Sequence, residues 1–493
     1  MLTYDELTAA ERIVWDSFPT GRWVDLRTGT PEDDEPGGGA AWGPERTVRA
    51  DVVAALLLGD TTERSGGVAS LRLAGARITG RLELAGADIG HLVWLKGCRL
   101  EQEVGLHSAT TRTIRITGSH VPGVDAELAR FEGHLDLNRS VMETGRLSLM
   151  NAHVTGELDL DGARIAAPGK WAVLAGGLVM GASVYGRGFT TQGGIRLPGA
   201  QLPGGLYLKG AVLGSHGGMS LVANHVTATV VDLAGEFSAT GTLRLQGARI
   251  SDRLTLDGAT LGDGDTALLG AGMQAETFDF RPAAPPAGAV DLRGARAAVL
   301  HDSERSWPGE VRLDGFVYGS LRSDGTAPRE DAGRRLAWLR RNPGYAPQPY
   351  EQLAACYRQA GHDDDARRVL LEKQRHRRRT LRPSGRLWGY LLDATVGYGY
   401  RPWLAALWMT GLCLLGTLVF STRSPVRTKS GEGDPFNSLV YTVDLLFPIG
   451  EFGQRGAWHW TGATQWLAYA LIAVGWLLTT TVVAGASRTL SRN

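Results

Sequence analysis

One short phrase recurs through the middle of this 493-residue chain: two apolar residues one position apart, then usually Gly-Ala, then a further apolar residue. Clean copies begin at Leu71, Leu82, Leu158, Leu206, Leu243 and Leu254. Looser copies sit at Val93, Ile114, Leu147, Ile195, Val231, Val290 and Val311. A fixed short period constrains the fold strongly. No single unit of this size can bury its own apolar face, so each must stack on the next.

The spacing decides what stacks. Large apolar residues fall at Leu73, Ile78, Leu84, Ile89, Leu95, Leu100 and Leu106, in steps that alternate between five and six. Two residues before each lies a second inward position: Leu71, Ala76, Leu82, Ala87, Val93, Cys98 and Val104. A helix needs apolar steps of three and four, and these are absent. Short alternating strands separated by glycine corners fit instead. Each unit then forms one face of a coil, and four faces give about 22 residues per coil with coils roughly 4.8 Å apart. Residues 69–320 are expected to build about eleven coils.

This pattern resembles the pentapeptide-repeat family, whose coils are quadrilateral parallel β-solenoids, and the resemblance covers about half the chain. That family favours Ala-Asp/Asn-Leu-x-x in strict fives, whereas every second unit here carries an extra residue. The expected fold is mainly β: a parallel β-solenoid with quadrilateral coils, then a helical linker and two transmembrane helices.

Charge narrows the partners. The chain carries a formal net charge of +1, and residues 69–320 hold 23 Lys+Arg against 25 Asp+Glu, a net of −2. A rod that mimics nucleic acid needs a strongly acidic surface, so that use is not expected, and no nucleic-acid partner is. Cys98, Cys356 and Cys413 lie too far apart to read as a disulfide framework. Rossmann, Walker, Gly-x-Ser-x-Gly and His-Glu-x-x-His signatures are absent. No catalytic, cofactor or metal residues are therefore assigned, and no enzymatic activity is expected.

The flanks have their own periods. Residues 1–68 read as a cap, with a helix from Leu7 to Phe18 behind Thr8 as N-cap, and a second helix from Arg49 to Leu58. Past Tyr318 the spacing turns helical. Residues 329–386 form a linker with helices over Glu330–Arg341, Pro349–Ala360 and Asp363–Thr380. The last two, on either side of Gly361, resemble one helical hairpin of the tetratricopeptide kind.

The last part, residues 387–493, reads as a membrane module. Pro402–Thr422 and Gly456–Ser487 contain no Asp, Glu, Lys or Arg, and each is long enough to cross a bilayer. The expected spans are about 402–421 and 465–486. Nine basic residues between Arg367 and Arg386 precede the first span, and Arg488 and Arg492 follow the second. Positive-inside bias puts both ends, and the solenoid, in the cytoplasm, with the protein in the cell membrane. Arg375, Arg377, Arg378, Arg379, Arg382 and Arg386 are expected to meet anionic lipid headgroups.

Between the expected spans, Phe436–Phe447 is a largely apolar stretch interrupted by one charge, Asp444, and Pro448-Ile449-Gly450-Glu451-Phe452-Gly453 follows. A span, a short apolar helix, a glycine-containing loop with an acid and a second span resemble a two-span cation-channel subunit. Asp444, Pro448, Gly450 and Glu451 would then line or shape the pore of a homo-oligomer. The chain also resembles actinobacterial membrane proteins that join pentapeptide-like repeats to such an end. Proteins of that kind are sometimes labelled oxidoreductases, a label that no residue pattern here supports. Thr395-Val396-Gly397-Tyr398-Gly399 spells a potassium-channel filter but precedes the first span, where it reads as a bend into the membrane. The leading expectation is a tethered solenoid serving as a scaffold or sensor surface for an unknown protein partner. A channel gated by the solenoid is the sharper alternative.

Overall fold

The computed structural model describes residues 3–59, 67–303, 305–323, 332–428, 435–447 and 452–490. The chain divides into two compact units, Met1–Gln352 and Leu353–Asn493.

The first unit is a parallel β-solenoid of about 12 turns. One face follows a single ladder: Leu71 pairs with Val93, Val93 with Ile114, Ile114 with Leu135 and Leu135 with Leu158. The ladder continues through Val184, Leu206, Val231, Leu254, Phe278 and Leu300 to Leu321. Four faces alternate around each turn. Past Thr227 one corner is smoothed, and strands such as Arg249–Thr255 and Gln274–Phe280 run continuously through two faces.

The inward positions are buried as the spacing requires. Leu73, Ile78, Leu84, Ile89, Leu95, Leu100 and Leu106 are all inside. So are their companions Leu71, Ala76, Leu82, Val93, Cys98 and Val104, while Ala87 is half-buried. Glycine serves the corners: Gly75, Gly86, Gly162 and Gly210 sit at φ 64–68°, where a side chain is strained. A second corner device went unread in the sequence. The outward Asp before many corners accepts the amide two residues on, as Asp136 does from Asn138 (3.1 Å) and Asp159 from Asp161 (2.9 Å).

Both ends of the stack are closed. Helix α1 (Ala9–Ser17) starts at Thr8, whose hydroxyl accepts the Glu11 amide. Helix α2 is Ala50–Leu58. The cap also supplies strands, with Val24 pairing to Leu73 and Val48 to Ile78, so it extends two faces of the ladder. Buried Glu11 joins the halves of the cap through Arg49 Nη2 at 2.7 Å. At the other end, helix α3 (Ala332–Leu339) lays Arg335 on buried Asp302, with two bonds of 2.7 Å. Asn342 accepts the Leu313 amide, while Gln348 and Gln352 donate to the Phe316 and Tyr318 carbonyls. These side chains satisfy edge groups that would otherwise template aggregation.

The second unit is helical. After α4 (Gln348–Gln359), which crosses the boundary, come α5 (Asp363–Thr380), α6 (Pro383–Val396) and α7 (Pro402–Ser421). Then follow α8 (Ser438–Leu446), α9 (Gln454–Ala457) and α10 (Ala463–Leu490). Two helices are long and apolar enough to cross a membrane, at Trp403–Ser421 and Ala463–Thr480. Over the whole chain, helix (30%) slightly exceeds strand (28%), which corrects the expectation of a mainly β protein. The reason is geometric: many solenoid rungs are only two residues long, and corners take much of the rest.

Candidate functional site

The second unit gathers the residues singled out for pore and lipid roles. Helix α8 is seated between the two long helices. Its N-cap is Asn437, whose Oδ1 accepts the Leu439 and Val440 amides at 3.0 and 3.2 Å. One face, with Tyr441, Leu445 and Leu446, joins Phe420 of α7 and Ala468 and Leu471 of α10 in a buried cluster with Trp460.

Two glycines in the long helices make the seat. A Cβ built on Gly416 of α7 would lie 2.5 Å from Thr442 Cγ2. One built on Gly475 of α10 would lie 2.4 Å from the Leu446 carbonyl oxygen and 2.8 Å from its Cα. At Gly475 the atoms met are backbone, so only a residue without a side chain allows that approach, whereas at Gly416 the atom met is a side-chain methyl. Gly416 lies five residues before the end of α7, about 8 Å along the axis. Gly475 lies twelve residues into α10, about 18 Å along it. Helix α8 therefore descends from the connector side to roughly the middle of α10, with its C-terminus leading.

Asp444 is 3% exposed, and each of its oxygens accepts a hydrogen bond. Its Oδ1 accepts the Phe452 amide at 3.2 Å and its Oδ2 the Arg455 amide at 2.7 Å. The carboxylate thus ties the returning chain to α8. Gln454 adds a second tie, accepting from the Asn437 amide (3.3 Å) and donating to the Pro435 carbonyl (3.1 Å). On the connector surface Val426–Arg427 pairs antiparallel with Trp458–His459. Pro448, Gly450 and Glu451 lie outside the described residues.

The arginines divide into groups. Arg375 and Arg378 reach from α5 to Asp393 of α6, each at 3.1 Å. The Asp393 hydrogen bond holds the Arg375 guanidinium above its usual pKa, and Arg378 also stacks on Tyr390 at 3.9 Å. Arg386 donates to the Leu381 and Arg379 carbonyls at the end of α5. Arg377, Arg379, Arg382 and Arg386 are exposed. Asp393 was not singled out in the sequence, although it is the sole acid between Lys373 and Thr422. The filter-like string ends α6 and makes one 3-10 turn, with Gly397 and Tyr398 both at φ 53°. It is a bend.

The solenoid carries two chemically suggestive spots. His107, Asp125 and Glu127 bring ligand atoms within 4.8 Å of one another and could hold a cation. Asp125 already accepts the Glu127 amide, and Glu127 accepts Ser148 Oγ at 2.7 Å. Cys98 sits in a buried ladder of small side chains with Ser119 and Ser140. Burial pushes its thiol up to about 12, so it supplies no thiolate near neutral pH.

No protein-family model, no curated protein and no solved structure matches the chain.

Proposed function

We propose that the second unit is the pore module of an oligomeric cation channel and that the solenoid is its cytoplasmic sensing or docking surface. The observation that carries this reading is the depth of α8. A hairpin resting on a bilayer surface needs no glycine seats in its spans, and it would not reach about 18 Å along α10.

The electrostatics agree. A helix C-terminus carries partial negative charge, and α8 aims it toward the middle of the spans, where it favours a cation. Backbone outside a helix is tolerated at such depth where protein or water surrounds it. Asp444 meets that demand for the Phe452 and Arg455 amides. In this reading Asp444 is a positioning residue that holds the loop, and Pro448, Gly450 and Glu451 shape the conduction path. Oligomerisation follows because α7, α8 and α10 of one chain are too few to enclose a pore. Leu414, Leu418, Trp466 and Leu477 leave exposed apolar faces for neighbouring subunits and lipid.

A non-conducting tether is the second reading. It is favoured by the engagement of both Asp444 oxygens with backbone amides, which gives that carboxylate a structural use without an ion. Purified full-length protein in mild detergent, followed by mass determination and planar-bilayer recording, separates the two. A defined oligomer with cation-selective unitary currents supports the channel. A silent preparation of the same oligomer would leave the solenoid as a tethered scaffold.

A further inference from the structure

Helix α6 carries an apolar surface that the two long helices do not explain. One side is held within the unit: Gly389 is buried, Asp393 takes Arg375 and Arg378, and Leu392 packs with Ala405 and Leu478. The other side is exposed, although Arg378 stacks over Tyr390 at its edge. Leu387 is 71% exposed, Trp388 58%, Tyr390 60% and Leu391 50%. At 100° per residue Leu387, Trp388 and Leu391 fall within one stripe with Ser384 and Ala394, and no Asp, Glu, Lys or Arg of α6 interrupts it, while Tyr390 lies at its edge under Arg378. Arg386 and Asp393 fall on the opposite side.

The position of α6 identifies what covers this stripe. The Ala394 carbonyl accepts from Trp408 Nε1 at 3.0 Å, and Leu392 meets the start of α7 at Ala405. The end of α6 is thereby pinned beside the first turns of α7, about 9 Å or less from its N-terminus. Charge agrees with position. Arg377, Arg379, Arg382 and Arg386 are exposed around the start of α6, and Asp393, the one nearby acid, is already paired. An uncharged stripe with Trp and Leu beside a cluster of exposed guanidiniums fits a helix lying in the headgroup layer.

We propose that α6 lies along an anionic membrane surface, with Leu387, Trp388 and Leu391 sunk among the headgroups and upper acyl chains. The Asp393 fork fixes this face outward by locking the opposite side of α6 to α5. The proposal rests on the reading of α7 and α10 as spans, and its test separates the two.

Single cysteines at Leu391, Leu414 and Arg379 of the full-length protein are spin-labelled, with Cys413, the native cysteine that is not fully buried, replaced by alanine. The protein is placed in phosphatidylcholine vesicles with or without phosphatidylglycerol. Collision with oxygen, which favours lipid, is compared with collision with a water-soluble nickel chelate. The expected oxygen-to-nickel ratio at Leu391 lies between a high value at Leu414 and a low one at Arg379, and it rises when phosphatidylglycerol is present. If Leu391 is as open to nickel as Arg379 while Leu414 remains in lipid, the proposal fails and the spans stand. Shielding of Leu391 from both reagents means that a protein surface or a second copy covers the stripe, which also overturns it. Indifference to phosphatidylglycerol overturns the preference for an anionic surface. A water-exposed Leu414 removes the span reading, and this inference with it.

Discussion

Asp444 separates two roles for a buried carboxylate in the helical unit. If it positions the loop, its value lies in the amides of Phe452 and Arg455, at 3.2 and 2.7 Å on different oxygens. Hydrogen bonds to a charged group contribute about 1.5–3 kcal/mol each. Asp444→Ala removes both and leaves two amides without their acceptor, so the expected loss is about 3–6 kcal/mol. Asp444→Asn keeps one carbonyl oxygen and presents an NH₂ to the other amide, so its loss is about half as large. Stability should therefore fall in the order Asp, Asn, Ala when full-length protein is unfolded in detergent. Currents should fall in the same order, with ion selectivity kept in whatever conducts. A carboxylate that instead faces the ion path predicts another pattern. Asparagine and alanine would then change selectivity equally and leave stability within about 0.5 kcal/mol of the parent. That result would refute the positioning role.

Three further outcomes follow from the same geometry. Gly475→Val should cost about 1–3 kcal/mol and disrupt the module, because the added Cβ meets the Leu446 backbone. Gly411→Ala on α7, where nothing lies within 4 Å, should be neutral or stabilising, and thermal unfolding in detergent checks the pair. Glu11 is opposed in ionising by its burial but overridden by Arg49 and by the Thr8 and Arg49 amides, which hold its carboxyl at about 2. With an ordinary value of 4.5, its stabilisation is complete above about pH 4.5 and is lost as pH falls toward 2. Its size is about 2–3 kcal/mol once the partial exposure of Arg49 is discounted. Glu11→Gln should therefore flatten stability against pH across that window, as read by chemical denaturation. Arg335→Ala leaves buried Asp302 with the neutral Trp307 indole (2.6 Å) in place of a charged partner among the described residues. A loss of about 3–5 kcal/mol is expected, visible as earlier proteolysis of the last solenoid turns.

The solenoid was legible because its signal is a period. Alternation of five and six turns Leu73, Ile78, Leu84 and Ile89 inward from successive faces of one coil, and no helical register does that. Side chains that act across the period were harder to read. Asp302 and Arg335 are 33 residues apart, and Glu11 and Arg49 are 38 apart. No repeat relates either pair, so only folding brings them together. The outward Asp at corners was within reach of sequence reading, since Asp136, Asp159 and Asp232 recur two positions before the amide they accept.

In the second unit, apolar length marked the two long helices, while the features that join the helices were small. Gly416 and Gly475 look in sequence like two more small residues in apolar helices. Their meaning comes from what lies against them, and that depends on α8 entering between the helices. Asp393 shows the same limit from the side of charge. A run of nine basic residues reads as one lipid-facing cluster, yet a helix turns successive residues by about 100°, so such a run must point several ways. Arg375 and Arg378 share the face toward α6 and are spent on Asp393, while Arg377 and Arg379 stay exposed. Any lipid affinity of this run therefore belongs to the exposed arginines. Neutralising Arg377 and Arg379 should weaken the response to anionic lipid, whereas neutralising Arg375 and Arg378 should loosen α6 from α5.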